Sequence, residues 1–359
     1  MASEPPSGIH IGVDAQGGLP LPWLQSPLQR ARALDGVHAL LLHGPAGAGH
    51  LELALLLAQA WLCERPADAR PGLGCGRCGS CHLLRTRVHP DLLLLLPEAH
   101  RHRLGWAAED DAKPAKADAK PSKDLKVDQV RAAIAWSQQT SGRGRGKVLL
   151  LHPADALNTA AANALLKTLE EPPGALRIVL TSADPDRLLP TLRSRCQRVP
   201  LPLPDHATAL AWLQQQGQQQ PEALLALASG SPLEALAWAA EGFSPALLAE
   251  LPKRIAAGDA SALASRPIPR VLDLLAKLAY DAMALAVAAP PRFFAANTLP
   301  GGAALPALVA WHKSLLRTAR HAEHPWNAPL LLDALISEAA SVWAGASVPA
   351  PTSGGMSRR

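Results

Sequence analysis

Three cysteines stand close together in the run Cys75-Gly-Arg-Cys78-Gly-Ser-Cys81, with a fourth, Cys63, upstream. Two overlapping Cys-x-x-Cys units hold thiolates at the separation a tetrahedral cation needs. Glycines 72, 74, 76 and 79 permit the tight turns. With Cys63 at the end of the preceding helix, the set reads as a structural Zn2+ site. Four thiolates leave no open coordination position, so no catalysis is assigned to it. An iron–sulfur cluster is the rival reading, but the position where a ferredoxin run would continue is Arg85. A redox dithiol needs fewer clustered cysteines, and unliganded buried thiols suit so polar a loop poorly. A second stretch with chemical potential is His43-Gly44-Pro-Ala-Gly47-Ala-Gly49-His50-Leu51. It has the outline of a phosphate-binding loop, which normally ends in Gly-Lys-Ser/Thr, with lysine on the phosphates and the hydroxyl on magnesium. Here His50 and Leu51 occupy those two places. The turn is present and its chemical groups are not, so a bound nucleotide cofactor is not expected.

The elements that must position these residues alternate. Residues 37–42, "VHALLL", read as a buried strand, and a helix over 51–63 follows the glycine-rich turn. A second strand is expected at 91–96. Residues 98–124 mix Lys, Ala, Asp and Pro with little apolar pattern and read as a disordered insertion. A helix at 127–139, the loop "SGRGRGK", a strand at 148–151, a helix at 156–170 stopped by "EPPG", a strand at 177–182 and a helix near 186–193 complete the alternation. Such a series argues for a parallel sheet covered by helices. From about 205 onward only helical patterns occur. The loop "SGRGRGK" offers cations that could meet nucleic-acid phosphates, and a solvated connection explains it equally well.

Hydrophobic residues make up 48% and charged residues 18% of the 359-residue chain, which suits a globular protein with a substantial core. A formal charge of +5 is compatible with nucleic acid but weak support for it. The start, "MASEPPSGIHIGVD", has neither the basic nor the apolar region of a signal peptide, and no apolar run is long enough to cross a bilayer. A cytoplasmic protein without membrane contact is expected.

Two further stretches identify a family. "NALLKTLEEPPG" at 163–174 and "IVLTSADPDRLLPTLRSRCQ" at 178–197, with the glycine-rich turn and the cysteines, closely resemble bacterial clamp-loader subunits of the AAA+ class. "HPD" at 89–91, "VDQVR" at 127–131 and "HPWN" at 324–327 also look like this family. The resemblance runs from about residue 20 to 345, outside the insertion. It implies an α/β AAA+ domain with a RecA-like parallel sheet and a zinc module over 1–203, a helical lid over 204–250, an all-α collar over 251–345 and a disordered tail over 346–359. It also implies partners: the clamp-loader ATPase (gamma/tau) and delta subunits, with the sliding clamp and primer-template DNA reached through the assembly.

The departures from the family's ATPase pattern are specific. In the ATPase relatives the strand before "NALLKTLEEPP" ends in Asp-Glu, which organise magnesium and the attacking water. Here His152 and Pro153 follow that strand. The lid arginine of Gly-Ser-x-Arg is replaced, since the matching stretch is Gly230-Ser-Pro-Leu233. One catalytic-looking group is intact, Arg195 in Ser194-Arg195-Cys196. The resemblance implies an arginine finger, pointing across an interface at the γ-phosphate of ATP in a neighbouring subunit. A guanidinium is always charged and offers a fork of donors to the transition-state oxygens. The plainer reading is a salt bridge within its own domain. These features lead to the expectation of a non-hydrolysing clamp-loader subunit serving the replicative polymerase, itself without ATPase activity. The alternatives are an active ATPase of the same family and a self-sufficient zinc-dependent nucleic-acid binder.

Overall fold

The computed structural model describes residues 12–13, 18–34, 36–65, 73–106, 121–321 and 326–345. The chain forms two compact units, Met1–Pro204 and Asp205–Arg359.

In the first unit the order is α1 (Gln25–Arg32), β1 (Ala39–His43), α2 (His50–Leu62), α3 (Gly79–Arg85), β2 (Leu92–Leu95), α4 (Glu98–Arg103), α5 (Val127–Ser137), β3 (Lys147–Leu151), α6 (Thr159–Glu170), β4 (Leu176–Ser182), α7 (Pro190–Arg193) and β5 (Gln197–Pro200). The five strands form one parallel sheet in the order β2-β3-β4-β1-β5. The central strands are dominated by apolar residues because both faces of a parallel sheet are covered. All of β3 and all but Arg177 of β4 are buried. β5 lies at an edge, with exposed Gln197 and Arg198 and only Val199 buried, so its sequence carries no alternation that would have announced it. On α2, Leu53, Leu55, Leu56 and Leu57 have no exposed surface. At about 1.5–3 kcal/mol for each such leucine, this helix is fixed to the sheet far more firmly than its propensity alone could manage.

α6 shows how the local sequence delimits an element. Asn158 caps it by accepting from the N–H of Ala161 at 2.8 Å, and Pro172 and Pro173 stop it after Glu171. Leu165 and Leu169 are fully buried, Leu166 is half-buried, and Lys167, Glu170 and Glu171 face water.

The stretch 98–124, expected to be disordered, is ordered at both ends. α4 begins directly after Pro97, with Glu98 in the first turn, where a carboxylate suits the positive end of the helix. The Glu98 carboxylate accepts from the Ser122 N–H at 3.0 Å, and the Ala99 N–H donates to the Ser122 carbonyl at 3.0 Å. Arg87 stacks over Trp106, 4.8 Å from the ring centre. The short-range pairing of Glu98 with Ser122 was hidden by the separation of the two in sequence. Residues 107–120 and the tail 346–359 lie outside the described residues.

The second unit is entirely helical among the described residues: α8 (His206–Gln215), α9 (Glu222–Leu227), α10 (Pro232–Ala240), α11 (Pro245–Ala256), α12 (Ile268–Ala286), α13 (Leu305–Arg320) and α14 (Ala328–Ala344). The expected boundary at 250/251 falls inside α11, where Leu248, Leu251 and Ile255 share one buried face. Arg270 on α12 pairs with Glu234 and Glu241 of the α10 region and lies over Trp238. Asp281, wholly buried, accepts from the N–H groups of Arg292, Phe293 and Phe294 at 2.7–2.8 Å and so fixes the chain after α12. No described helix is long and apolar enough to cross a membrane.

Candidate functional site

The cysteines converge. Cys63 is the C-cap of α2 and Cys78 the N-cap of α3, so two helix ends bring the sequence-distant ligand to the clustered three. The Sγ atoms of Cys63, Cys75, Cys78 and Cys81 all lie within 4.8 Å of one another. Cys75–Cys81 and Cys63–Cys78 are each 3.9 Å apart. A cation bound to thiolates at about 2.3 Å in a tetrahedron sets sulfurs about 3.8 Å apart, so the residues fit such an ion. Backbone N–H groups point at the sulfurs: Cys75 to Cys63, Arg77 and Cys78 to Cys75, and Cys81 to Cys78, at 3.3–3.5 Å. Burial pushes the Cys63 and Cys81 thiols up. Burial also penalises Cys75, but the N–H groups of Arg77 and Cys78 draw it down to about 6. Gathering buried thiolates this closely without a cation is unfavourable, which is the physical case for a metal. The fifth cysteine, Cys196, is separately buried in the sheet core, where burial raises its thiol to about 12.

The module is tied to the sheet domain through Glu64. Its carboxylate accepts from Arg143 and from Ser80 Oγ at 3.0 Å, and its carbonyl accepts from Arg145 at 2.7 Å. The arginines of "SGRGRGK" are therefore turned onto the cysteine module. The same loop is held from below by Asp91, a wholly buried acid that accepts from the N–H groups of Gly142 and Arg143 at 2.7 and 2.9 Å and from Ser141 Oγ at 3.0 Å. Within "HPD" at 89–91 the sequence alone marks no task for Asp91. The available signal was a lone acid directly before an apolar strand.

The glycine-rich turn joins β1 to α2 as expected. Two of its three glycines answer to packing. A Cβ on Gly44 would stand 2.0 Å from the Leu201 carbonyl oxygen, and Gly49, at φ 98°, would meet Leu21 at 2.8 Å. Trp23 donates to the Ala48 carbonyl at 2.9 Å, closing the N-terminal segment against the turn. His50 is only 7% exposed, and its Nε2 has no hydrogen-bond partner among the described residues. Burial lowers its pKa to about 4, partly opposed by a hydrogen bond with the Gly44 backbone. At neutral pH an uncharged imidazole thus occupies the lysine's place, and Leu51 is buried.

At the end of β3, His152 Nδ1 lies 2.7 Å from Thr181 Oγ1 on β4. Asp155, in the turn after β3, binds Ser182 Oγ and the Ala183 N–H, so this acid ties that turn to the end of β4. In the second unit Ser231 caps α10 by accepting from the Glu234 N–H at 3.3 Å. The Gly230-Ser231-Pro232 stretch therefore starts a helix.

Arg195 follows α7 at the corner before β5. Its Nε donates to Glu170 Oε1 at 2.6 Å, its Nη2 donates to the same oxygen, and its Nη1 donates to the Thr191 carbonyl at 2.9 Å. The Arg195 side chain is 33% exposed and that of Glu170 49%. Arg193 folds instead onto Asp186 and the Pro185 carbonyl.

A five-stranded parallel sheet in this order, a glycine-rich turn after its β1 strand, a cysteine module behind it and a helical unit following define a protein of the AAA+ class. The profile described as "DNA polymerase III, delta subunit" matches residues 24–205. DNA polymerase III subunit delta' of Pseudomonas aeruginosa is 42% identical over 60% of this chain and 60% of its own. The match thus spans less than two thirds of that relative. The Escherichia coli delta' subunit is 34% identical over 73% of this chain and 75% of its own. The tau subunit of the same organism is 33% identical over 44% of this chain and 20% of its own. The chain belongs to the DNA polymerase III delta' family.

Proposed function

We propose that this chain is a non-hydrolysing delta' subunit of the clamp loader in DNA replication. It lends Arg195 to ATP held by a neighbouring gamma/tau-type ATPase subunit while the assembly, which also includes delta, places the sliding clamp on primed DNA. In this reading 204–250 act as a lid, 251–345 as a collar that binds other subunits with α11 at their junction, and the four cysteines hold a structural zinc. The single observation that carries the reading is the contrast between two positions. The lysine's place holds a buried neutral His50, whereas Arg195, paired with Glu170, stands on a corner where a third of its side chain is exposed. No acid stands at 152 or 153 to organise magnesium, which further disfavours hydrolysis in this chain's own pocket.

The test is reconstitution of the full chain with its ATPase partner, the clamp and primed DNA. Arg195→Ala is expected to cut ATP turnover by about 10³-fold or more, the range in which a trans arginine acts in GTPases. Unchanged turnover removes the finger. ATP hydrolysis by the isolated wild-type chain would favour an active ATPase instead. Tight, salt-sensitive DNA binding by that isolated chain would favour a self-sufficient nucleic-acid binder.

A further inference from the structure

A guanidinium offered across an interface is useful only if it is already aimed. Arginine is a long side chain with many rotamers to lose, and a catalytic group about 1 Å out of place costs about 10²-fold in rate. Arg195 is not left to wander. Glu170 takes its Nε and Nη2, and the Thr191 carbonyl takes Nη1. That uses three of the five N–H donors of a guanidinium and leaves two. Glu170 is itself anchored. It is the last residue of α6, a helix capped by Asn158, held to the core by Leu165 and Leu169, and stopped immediately afterwards by two prolines. Glu171, next in the chain and equally charged, makes no bond to Arg195.

We infer that Glu170 is a positioning residue for Arg195: it grips the inner edge of the guanidinium and leaves the remaining donors for an anion brought by another subunit. This rests on the trans-arginine reading above. It also gives the Leu-Glu-Glu-Pro-Pro stretch a chemical task. The helix must end where it does, because Glu170 has to face the corner at Arg195. Glu170 touches no nucleotide. It acts through the arginine, so its loss should lower turnover without altering how the ATPase partner holds ATP.

The experiment measures kcat and KM for ATP in the reconstituted assembly with wild-type chain, Glu170→Gln, Glu170→Ala, Glu171→Gln, Arg195→Ala and the double variant Glu170→Ala/Arg195→Ala. Assembly of each variant is checked by gel filtration. Both Glu170 variants are expected to lose on the order of 10-fold to 10²-fold in kcat with KM unchanged. Glu171→Gln, which removes the same charge but no contact, should stay within about twofold of wild type. The double variant should match Arg195→Ala alone, because a residue acting only through Arg195 has nothing left to position. Wild-type kcat in both Glu170 variants, alongside a collapse in Arg195→Ala, overturns the inference and leaves the trans arginine standing. So does an equal loss in Glu171→Gln, or a double variant whose losses multiply. A rise in kcat on removing Glu170 also overturns it, since the carboxylate would then be restraining the arginine. Unchanged turnover in Arg195→Ala overturns the trans-arginine reading itself, and this inference with it.

Discussion

The glycine-rich turn and the cysteine module both look like ligand sites in sequence, yet the structure explains them in opposite ways. At the turn, two of the three glycines have a reason in the fold. Gly44 lies against the Leu201 carbonyl, and Gly49 adopts a left-handed conformation beneath Leu21. Nothing about the turn requires a phosphate. In the cysteine module the fold alone supplies no such reason. Four sulfurs within 4.8 Å of one another, two of them on buried residues, are an arrangement that a bound cation would make favourable. Shape can outlast chemistry where the shape is needed for packing. A cluster of ionisable groups has no such independent support.

The sharpest way to break this comparison is to take the metal away. Cys78→Ser should reduce bound metal from about one equivalent to none by elemental analysis, which also separates zinc from iron. Chelation of the wild-type chain should expose 73–88 to protease while the sheet domain stays folded by circular dichroism, because structural metal binding is itself folding free energy, about 10–16 kcal/mol in zinc-finger peptides. Full retention of metal by the variant would undo the assignment. At the turn the complementary change is Gly44→Ala. Its Cβ has no room beside a backbone oxygen, so a loss of about 3 kcal/mol or more is expected in denaturant melts run without any nucleotide. A neutral result would return the glycine to ligand binding.

His50 sharpens the same contrast through pH. Its folded pKa of about 4 lies below the 6.5 of an unperturbed histidine, chiefly through burial. The unfolded chain therefore binds the proton first as pH falls. The stability due to neutral His50 is complete above pH 6.5 and disappears on the way down to about 4, a change of roughly 3 kcal/mol at 1.36 kcal/mol per unit. Glu52, in the first turn of α2, opposes it. Its carboxyl is raised to about 6 by burial, so its contribution is present below 4.5 and fades as pH rises through 6. Replacing His50 by methionine should flatten the acid limb of a stability–pH curve measured by urea unfolding. An unaltered limb would mean that the imidazole is solvated after all.

Which of these features could be read from sequence follows from the range of the forces involved. The strands 39–43, 147–151 and 176–182 each carry a run of at least three consecutive apolar residues, so their burial is written locally, and the missing lysine and acids are single-position facts. The cysteines were legible because metal ligands have few alternative explanations at that spacing. β5 was not, since an edge strand reading Gln-Arg-Val-Pro has no pattern until its neighbour is known. The ordering of Glu98 against Ser122 and the use of Asp91 as a cap for 141–143 were equally hidden. Both are hydrogen bonds between residues far apart in the chain. The role expected of Arg195 comes from resemblance alone, since an arginine in a short loop carries no pattern of its own. Its intramolecular partner Glu170 appears once α6 and α7 are in place.

The smallest expected effect concerns the joint between the cysteine module and the sheet domain. Glu64 and Arg143 are each about a third exposed, so their direct pairing is expected to contribute about 1 kcal/mol at most to global stability. Arg143 nevertheless holds the Glu64 carboxyl below the usual carboxylate range, and Glu64 is the residue next to Cys63. The pair should therefore matter locally more than globally. Glu64→Gln, Arg143→Gln and the double variant should differ from wild type by little in urea midpoint. Amide hydrogen exchange in 141–146 should nonetheless rise in Arg143→Gln, because Asp91 then holds that loop from one side only. If exchange there stays at the wild-type level, Asp91 alone suffices to order the loop, and the two modules are joined by packing rather than by this charge pair.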